Sequence, residues 1–339
     1  MPLYINEQPS EADWEKMILA YNFPPFLQSW HAGEMHKEIG DEIFRLGLYD
    51  DQKLVGGVLA IKIMAKRGNF LYCPYGPIIN WHKPDQVEII FKAVKQKAEK
   101  LGLTFVRVSP FLADTNAHRA IFTNLGYRPA PIHMLAEHLW FLDVDKDEAL
   151  LMSGMRKTTR NLVRRAIKEG VTVDQRDDDE AINAFIKLHD ETVKRQHFVP
   201  YPAKYFRAQI KNFTRKNNAK VFLAYHQNQI LAAAIIIFYG QTGSYHHGAS
   251  VAHGNIPASY LLQWEAIKET KKRGFPIYNF WGIVPAKLSK GHPWAGLSLF
   301  KTGFGGYQFD LVPCHDLELR PKYYATYLIE RYRKWRRKV

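Results

Sequence analysis

The sequence predicts a mixed α/β (α+β) fold in two tandem units that share one plan. Three observations carry this. Segments with helical apolar spacing are interspersed with short apolar or alternating runs of strand type. The order helices, meander, helix, strand occurs once in the first half and again in the second, although sequence identity between the halves is negligible. The chain has 339 residues, 46% hydrophobic and 14% aromatic, enough for two domains of ordinary size with cores of their own.

In the first half, Glu11 to Tyr21 reads as a helix with Ser10 as N-cap, and a second helical pattern runs to Ile39 with Gly40 as its stop. Ile43 to Leu48 and Leu54 to Met64 read as strands joined by the turn residues Asp50 to Lys53. Phe70 to Cys73 is a further strand, ending in Pro74-Tyr75-Gly76-Pro77. Asp85 to Leu101 is amphipathic, with Val87, Ile90, Phe91, Val94 and Ala98 on one face. Thr104 to Val108 reads as a strand, Thr115 to Leu125 as a helix and His138 to Val144 as a strand. In the second half, Ser153 to Glu169 reads as one helix capped by Gly170, followed by helices over Ala181 to Arg195 and Ala203 to Phe213. A meander follows over Lys220 to Tyr225, Ile230 to Phe238 and Ser244 to Gly248, then a helix over Ala258 to Lys272 and a strand over Ile277 to Trp281.

The formal net charge is +14 with a sequence pI near 9.5. Such an excess favours polyanions: RNA, nucleotide-linked substrates or an anionic membrane surface. Two cysteines, Cys73 and Cys314, make no disulfide framework, so a reducing cytoplasm is the simplest setting. The first ten residues lack the basic and apolar regions of a signal peptide, and Ile230 to Phe238 is too short to span a bilayer. No H-E-x-x-H or Cys/His cluster argues for a metal, and His246 and His247, adjacent in a strand, are expected to point to opposite faces. Walker and G-x-S-x-G sequences are absent, as is the Q/R-x-x-G-x-G/A loop of acetyl-CoA-dependent acyltransferases.

Ile277 to Gly306 is the most informative stretch: an apolar strand, Gly282 as a sharp exit, a polar loop, then Leu297-Ser298-Leu299-Phe300-Lys301 before Gly303, Gly305 and Gly306. Glycines there would let the backbone approach a bulky substrate, and the Lys301 ammonium could meet an oxyanion or phosphate. A Gly-rich turn with a solvated lysine is the plainer account of the same residues. Arg156, Arg160, Arg164 and Lys168 recur every fourth residue as a basic stripe, which suits a phosphate backbone unless it is only a solvated face. From Pro321 onward, Lys322, Arg331, Arg333, Lys334, Arg336, Arg337 and Lys338 interleave with Tyr323, Tyr324, Tyr327, Tyr332 and Trp335. That mixture suits RNA, an anionic bilayer, or a helix docked on the first unit with a charged tip.

F-W-G-I followed by H-P-x-x-G-L-x-x-F-K-x-G-F-G-G resembles the signature of the FemABX family, peptidoglycan bridge-forming aminoacyltransferases that use aminoacyl-tRNA. F-L-Q-S-W near the N-terminus, Y-x-P-x-G-P at Tyr72 to Pro77 and M-R-K-x-x-R-x-x-x-R-x-A-x-K-x-G-V at Met155 to Val171 extend the resemblance over nearly the whole chain. It implies two tandem domains similar to the GNAT acyltransferase fold, mixed sheets flanked by helices: residues 1–145 plus 317–339 for the acceptor, and 146–316 with the basic helix and Lys301. No room exists between His189 and Phe222 for the coiled-coil arm of some members, so the compact form is expected.

The resemblance further implies a cell-wall role, with transfer of an amino acid from aminoacyl-tRNA to the stem peptide of UDP-MurNAc-pentapeptide or of lipid II. No cofactor is needed, and a cytoplasmic monomer touching the inner face of the plasma membrane is expected. Lys301 is the catalytic candidate. Arg156, Arg160, Arg164 and Lys168 are the tRNA-binding candidates. Acceptor candidates are Tyr72, Tyr75, Ser109, Arg195, Tyr201, Tyr205, Trp281 and Gly305, with His36 or Lys37 standing where the family has a phosphate-binding lysine. A GNAT-like N-acyltransferase with another donor or a non-cell-wall amine acceptor, and a non-catalytic RNA- or membrane-binding protein on the same scaffold, are the alternatives.

Overall fold

The computed structural model describes residues 2–66, 68–196, 199–251 and 256–337. It divides into unit 1, Met1–Glu137 with Asp310–Val339, and unit 2, His138–Phe309. The chain begins with β1 (Tyr4–Asn6), α1 (Glu11–Leu19), α2 (Trp30–Glu38), β2 (Ile43–Asp50), β3 (Lys53–Ala65), β4 (Gly68–Tyr75), α3 (Pro84–Lys100), β5 (Phe105–Pro110), α4 (Asn116–Asn124) and β6 (Arg128–Pro129). Unit 2 follows with β7 (His138–Asp143), α5 (Glu148–Gly154), α6 (Lys157–Lys168), β8 (Thr172–Arg176), α7 (Asp179–Gln196), α8 (Ala203–Thr214), β9 (Ala219–His226), β10 (Gln229–Tyr239), β11 (Thr242–Ser250), α9 (Ala258–Lys272), β12 (Ile277–Gly282), α10 (Ala295–Thr302) and β13 (Tyr307–Asp310). The chain then returns to unit 1 as β14 (His315–Glu318) and α11 (Tyr323–Arg337).

Local chemistry explains most of these boundaries. The Ser10 side chain accepts from the Asp13 amide and opens α1, and Ser29 does the same for α2 through Ala32. Asp51, at φ +56°, makes the β2–β3 turn. The apolar face expected of α3 is the one it buries: Val87, Ile90, Phe91, Val94 and Ala98 pack on Leu46, Val58, Leu71 and Val106 of the sheet. In unit 2, Leu262, Ala266 and Ile267 of α9 join the core with Phe222, Ala234, Ile236 and Phe280.

Each unit holds a seven-stranded sheet, ordered β1-β2-β3-β4-β5-β14-β6 in unit 1 and β8-β9-β10-β11-β12-β7-β13 in unit 2, read from matching edges. Both have three antiparallel pairings, one parallel pairing (β4 with β5, β11 with β12) and then an antiparallel sixth strand. The repeated order of elements is therefore a repeated topology. The sixth strands are where the sequence-based boundaries shift. The segment after β6 does not stay in the first sheet: β7 pairs with β12, while the later β14 pairs with β5. Residues 138–145 thus belong to unit 2 and residues 310–316 to unit 1, because neighbours in a sheet need not be neighbours in sequence. The short strands β1, β6, β8, β13 and β14 escape the sequence patterns; β8 and β13 are largely exposed and carry little apolar signal.

A second departure concerns the helix expected over Ser153 to Glu169. It is two helices, broken where Met155 and Arg156 turn extended at ψ 149° and 140°. The Arg156 amide donates to Gly303 O at 2.8 Å instead of to its own helix. A tertiary hydrogen bond has replaced a local one.

On unit 1 the sheet face opposite α3 carries Phe105, Arg107 and Ser109 of β5, and α11 docks over it. Arg107, 1% exposed, donates from Nε and Nη2 to both carboxylate oxygens of Asp316 at 2.7 Å, and from Nη2 to Glu330 Oε2 at 2.8 Å. Tyr323 Oη donates to Asp316 at 3.1 Å. Burial opposes charge on Arg107, but the bonds to Asp316 and Glu330 outweigh it and hold the guanidinium protonated. One cation thus ties β5, β14 and α11 together. Removing it leaves two buried carboxylates uncompensated, so Arg107→Met is expected to lose about 3–5 kcal/mol in urea unfolding. Adding Asp316→Asn should recover part of that loss; a double variant less stable than the single one would show that the pair itself is not what matters.

Candidate active site

The parallel strands β11 and β12 are registered only over Thr242–Ser244 against Ile277–Asn279. Their counterparts in unit 1, β4 and β5, stay registered from Phe70–Tyr75 against Phe105–Pro110. Two irregularities part the strands in unit 2. On β11 the register against β10 slips between Ile235, opposite His247, and Ile236, opposite Tyr245, so His246 is an extra, bulged residue. On β12 the register against β7 slips between Asn279 and Gly282. There Trp281 takes φ +68°, rare for an aromatic residue, and its amide is held by Asn279 Oδ1 at 2.7 Å. The strands fork, and groups that a continuous ladder would pair need other partners.

Lys301 supplies one of them. The sequence suggested a lysine in an open Gly-rich loop; it lies instead in the last turn of α10 and is 5% exposed. Its Nζ donates to Gly282 O at 2.6 Å and lies 5.8 Å from the Tyr245 ring centroid, so the amine spans from one arm of the fork to the other. Burial pushes the Lys301 ammonium down from 10.5 to about 7. The neighbouring glycines serve packing rather than ligand access. A Cβ at Gly303 would overlap Thr159 Oγ1, one at Gly306 would overlap Phe141 O, and Gly305 and Gly306 take φ +87° and +99°. Gly305 O accepts from Trp140 Nε1 at 2.7 Å, a role within the unit that needs no substrate.

Past Lys301 the fork is lined with rings. Because His246 is bulged, the His246 and His247 rings lie on one side, with centroids 4.0 Å apart, rather than on opposite faces as plain alternation would place them. His246 meets the Trp281 edge at 4.9 Å and its Nδ1 accepts from Gln209 Nε2 at 2.9 Å. His247 is ringed by Tyr201, Tyr205 and Phe206 at 5.0–5.8 Å. Burial pushes His246 down to about 3 and His247 well below its ordinary range, so both are neutral near pH 7. Tyr201, half exposed, stacks on buried Tyr205 at 4.5 Å. Arg195 Nη2 donates to Ser250 O at 2.7 Å and closes the far end of β11. Trp281, Tyr201 and Tyr205, expected for acceptor binding, are therefore joined in one run of ring contacts through His246 and His247, and Trp281 precedes Gly282, the partner of Lys301; Arg195 stands apart on Ser250. Tyr245, His246 and Gln209 were not expected; the only trace in sequence is a Tyr-His-His run between Gly243 and Gly248.

The remaining candidates are in unit 1 or on the basic helix. His36 Nδ1 lies 2.7 Å from Asp41 Oδ2, and Lys37 Nζ lies 3.0 Å from Glu34 Oε1, so each already faces a carboxylate. Tyr72 Oη donates to Ser109 Oγ at 3.2 Å in the layer beneath α11, beside Arg107. Tyr75, at φ +53°, donates to Ala136 O at 2.7 Å. Of the basic stripe, Arg156 is the N-cap of α6 and reaches Thr302 Oγ1 at 3.3 Å, and Arg160 donates to Ser153 O at 3.0 Å. Arg164 and Lys168 are exposed, with no ion pair among the described residues. Lys338, the last cation of the tail, lies outside the described residues. No group of three His, Cys, Asp or Glu among the described residues could hold a metal ion.

The low proton affinity of Lys301 has a thermodynamic consequence. Between about pH 7 and 10.5 the unfolded chain binds more protons at this residue than the folded one, so wild-type stability rises with pH across that window. The cost of the buried ammonium is fully present below about pH 7. Lys301→Met is therefore expected to compare best with wild type at pH 6 and progressively worse toward pH 10, where only the lost bond to Gly282 O counts. Parallel melting curves across pH that never converge or diverge would mean the amine titrates as an exposed lysine.

The FemAB family model matches residues 10–124, and an acetyltransferase (GNAT) domain model matches residues 153–287. The crystal structure of FemX is similar over 97% of this chain and 100% of its own, with TM-score 0.83 and 17% identity. L-PGS from Bacillus licheniformis aligns over 96% of this chain and 97% of its own (TM-score 0.60, 14% identity). A tandem GNAT protein from the clavulanic acid biosynthesis pathway aligns over 93% and 98% (TM-score 0.59, 12% identity). No curated protein sequence matches significantly. At these identities the structural likeness speaks for the fold. With a FemAB family match in the first unit, a GNAT acetyltransferase match in the second and one topology repeated in both, the chain has an acyltransferase architecture of two tandem GNAT-like units, similar over its whole length to FemX.

Proposed function

We propose that this protein transfers an amino acid from aminoacyl-tRNA to an amine on the stem peptide of a peptidoglycan precursor, either UDP-MurNAc-pentapeptide or lipid II. The observation that carries the acyl-transfer chemistry is the Lys301 amine held across the β11–β12 fork with its proton affinity lowered to about 7. The FemAB match and the exposed cations of α6 support the choice of donor and acceptor.

In this reading the acceptor amine attacks the ester carbonyl, the C–N bond forms, and the carbonyl oxygen becomes an oxyanion. Collapse breaks the bond to the ribose oxygen, which must leave with a proton, while the attacking nitrogen must lose one. A neutral Lys301 donating one N–H to Gly282 O keeps a second N–H and a lone pair. The N–H suits the oxyanion; the lone pair suits the proton in transit from nitrogen to ribose oxygen. A strongly basic surface lysine would hold its proton too tightly to relay it. Neutral His246 and His247, with Trp281, Tyr201 and Tyr205, form the aromatic wall along which the reacting groups would be positioned. An N-acyltransferase using another activated acyl donor would use the same fork, and the GNAT match over residues 153–287 is the observation in its favour.

With charged tRNA and acceptor both saturating, single-turnover transfer by Lys301→Met is expected to fall about 10²–10³-fold. The wild-type rate should lose activity as pH falls through about 7, where the amine takes up its proton. A rate within threefold of wild type would remove Lys301 from the chemical step.

The basic helix is tested separately. Arg164→Glu with Lys168→Glu should weaken tRNA binding and flatten its dependence on salt. Unchanged binding at low salt would leave those cations as a solvated face.

A further inference from the structure

Helix α11 is amphipathic the wrong way round. The side it lays on unit 1 carries Tyr323, Thr326 and Glu330, spaced i, i+3, i+7, with Glu330 paired to Arg107. The outward side carries Tyr324, Leu328, Tyr332 and Trp335, spaced i, i+4, i+8, i+11. Leu328, Tyr332 and Trp335 are 64%, 58% and 75% exposed. Ile329 is exposed beside them, and Tyr332 and Trp335 pack on each other at 5.9 Å. A surface helix ordinarily turns such a stripe to the core; here the ion pair under the helix fixes the opposite rotation.

Cations frame the outward stripe. Arg331, Lys334 and Arg336 are exposed at its sides, and Arg128 lies over Tyr324 at 5.4 Å at its other end. Leu328, Ile329, Tyr332, Arg333 and Arg336 line an open depression on this face. Aromatic and aliphatic side chains ringed by Lys and Arg match the interface of a negatively charged bilayer, with rings at headgroup depth and cations on the phosphates. The same charges disfavour a second copy of the chain, which would bring like-charged rims together. Among the described residues no helix is long and apolar enough to cross a membrane, so contact through this helix would be in the plane of the surface.

We propose that the outward face of α11 is a docking surface for an anionic bilayer, seating unit 1 on the lipid headgroups. This goes beyond the transfer reaction and does not depend on it.

The test is sedimentation of the full chain with vesicles of phosphatidylcholine alone and of phosphatidylcholine mixed with phosphatidylglycerol. Binding is expected to the mixed vesicles only, and to weaken with salt. Leu328→Ser with Trp335→Ser should lower partition about tenfold or more with an unchanged melting temperature, since both side chains point away from unit 1. Lys334→Glu with Arg336→Glu should also release the protein. Equal binding to both vesicle types, or full binding by the Leu328/Trp335 variant, would overturn the proposal. So would a wild-type chain that ignores vesicles but self-associates, or binds tRNA, through these same two residues. Because no transfer is measured, failure of the donor or acceptor assignment leaves this result readable.

Discussion

The β11–β12 fork governs unit 2. A parallel pair at the centre of a sheet normally satisfies its backbone groups strand to strand, and three residues of register do so here. Beyond them each strand bulges, and the facing edges must be satisfied by side chains or left to a ligand. Asn279 holds the turned amide of Trp281, Arg195 takes Ser250 O, and Lys301 takes Gly282 O. Each replaces part of a missing ladder. Because that replacement puts a charged side chain into a desolvated position, the lysine gives up basicity. The chemistry available at the fork follows from backbone accounting.

Unit 1 shows the same topology put to a different use. Its parallel pair is zipped over its full length, and the side chains that would face an opening are taken into the layer beneath α11. Tyr72 bonds Ser109, and Arg107 binds Asp316 and Glu330. Arg107, buried in unit 1, is paired with two carboxylates and stays charged. The buried cation of unit 2 has a carbonyl and an aromatic ring for company and loses its charge near neutrality. Of two copies of one fold, the sheet with the closed parallel pair holds Arg107 within an ion-pair network, and the one with the forked pair holds Lys301 against a backbone carbonyl.

The ion pair of Arg107 also decides the surface. A helix with its carboxylate locked inward cannot rotate its apolar stripe onto the core without leaving Arg107 and Asp316 unpaired, a larger loss than leaving Leu328 and Trp335 in water. The exposed stripe of α11 is thus a consequence of the buried network and not an accident of a frayed end.

The sequence by itself determined the elements with strong periodicity and clear caps: α1 from Ser10, α3 from its apolar face, the meander β9–β11, and the doubled order of elements. The fourfold spacing of the α6 cations marked them, and the resemblance of the Phe280-to-Gly306 motifs to the FemABX signature marked Lys301 and Trp281. Tertiary structure decided the rest, wherever a distant partner overrode a local preference. Gly303 O takes the Arg156 amide where the expected helix breaks in two at Met155 and Arg156. The sixth strands are fixed by the edges they meet, so β7 joins the sheet of the chain that follows it, and β14 pairs with β5, where Asp316 meets Arg107 from 209 residues away in sequence. The bulge at His246 turns two rings to one side where alternation would separate them, and the burial of Lys301 changes its proton affinity without changing a letter of its neighbourhood. Periodicity and capping act within a few residues and can be read along the chain; register slips, desolvation and ion pairing depend on what the fold brings alongside.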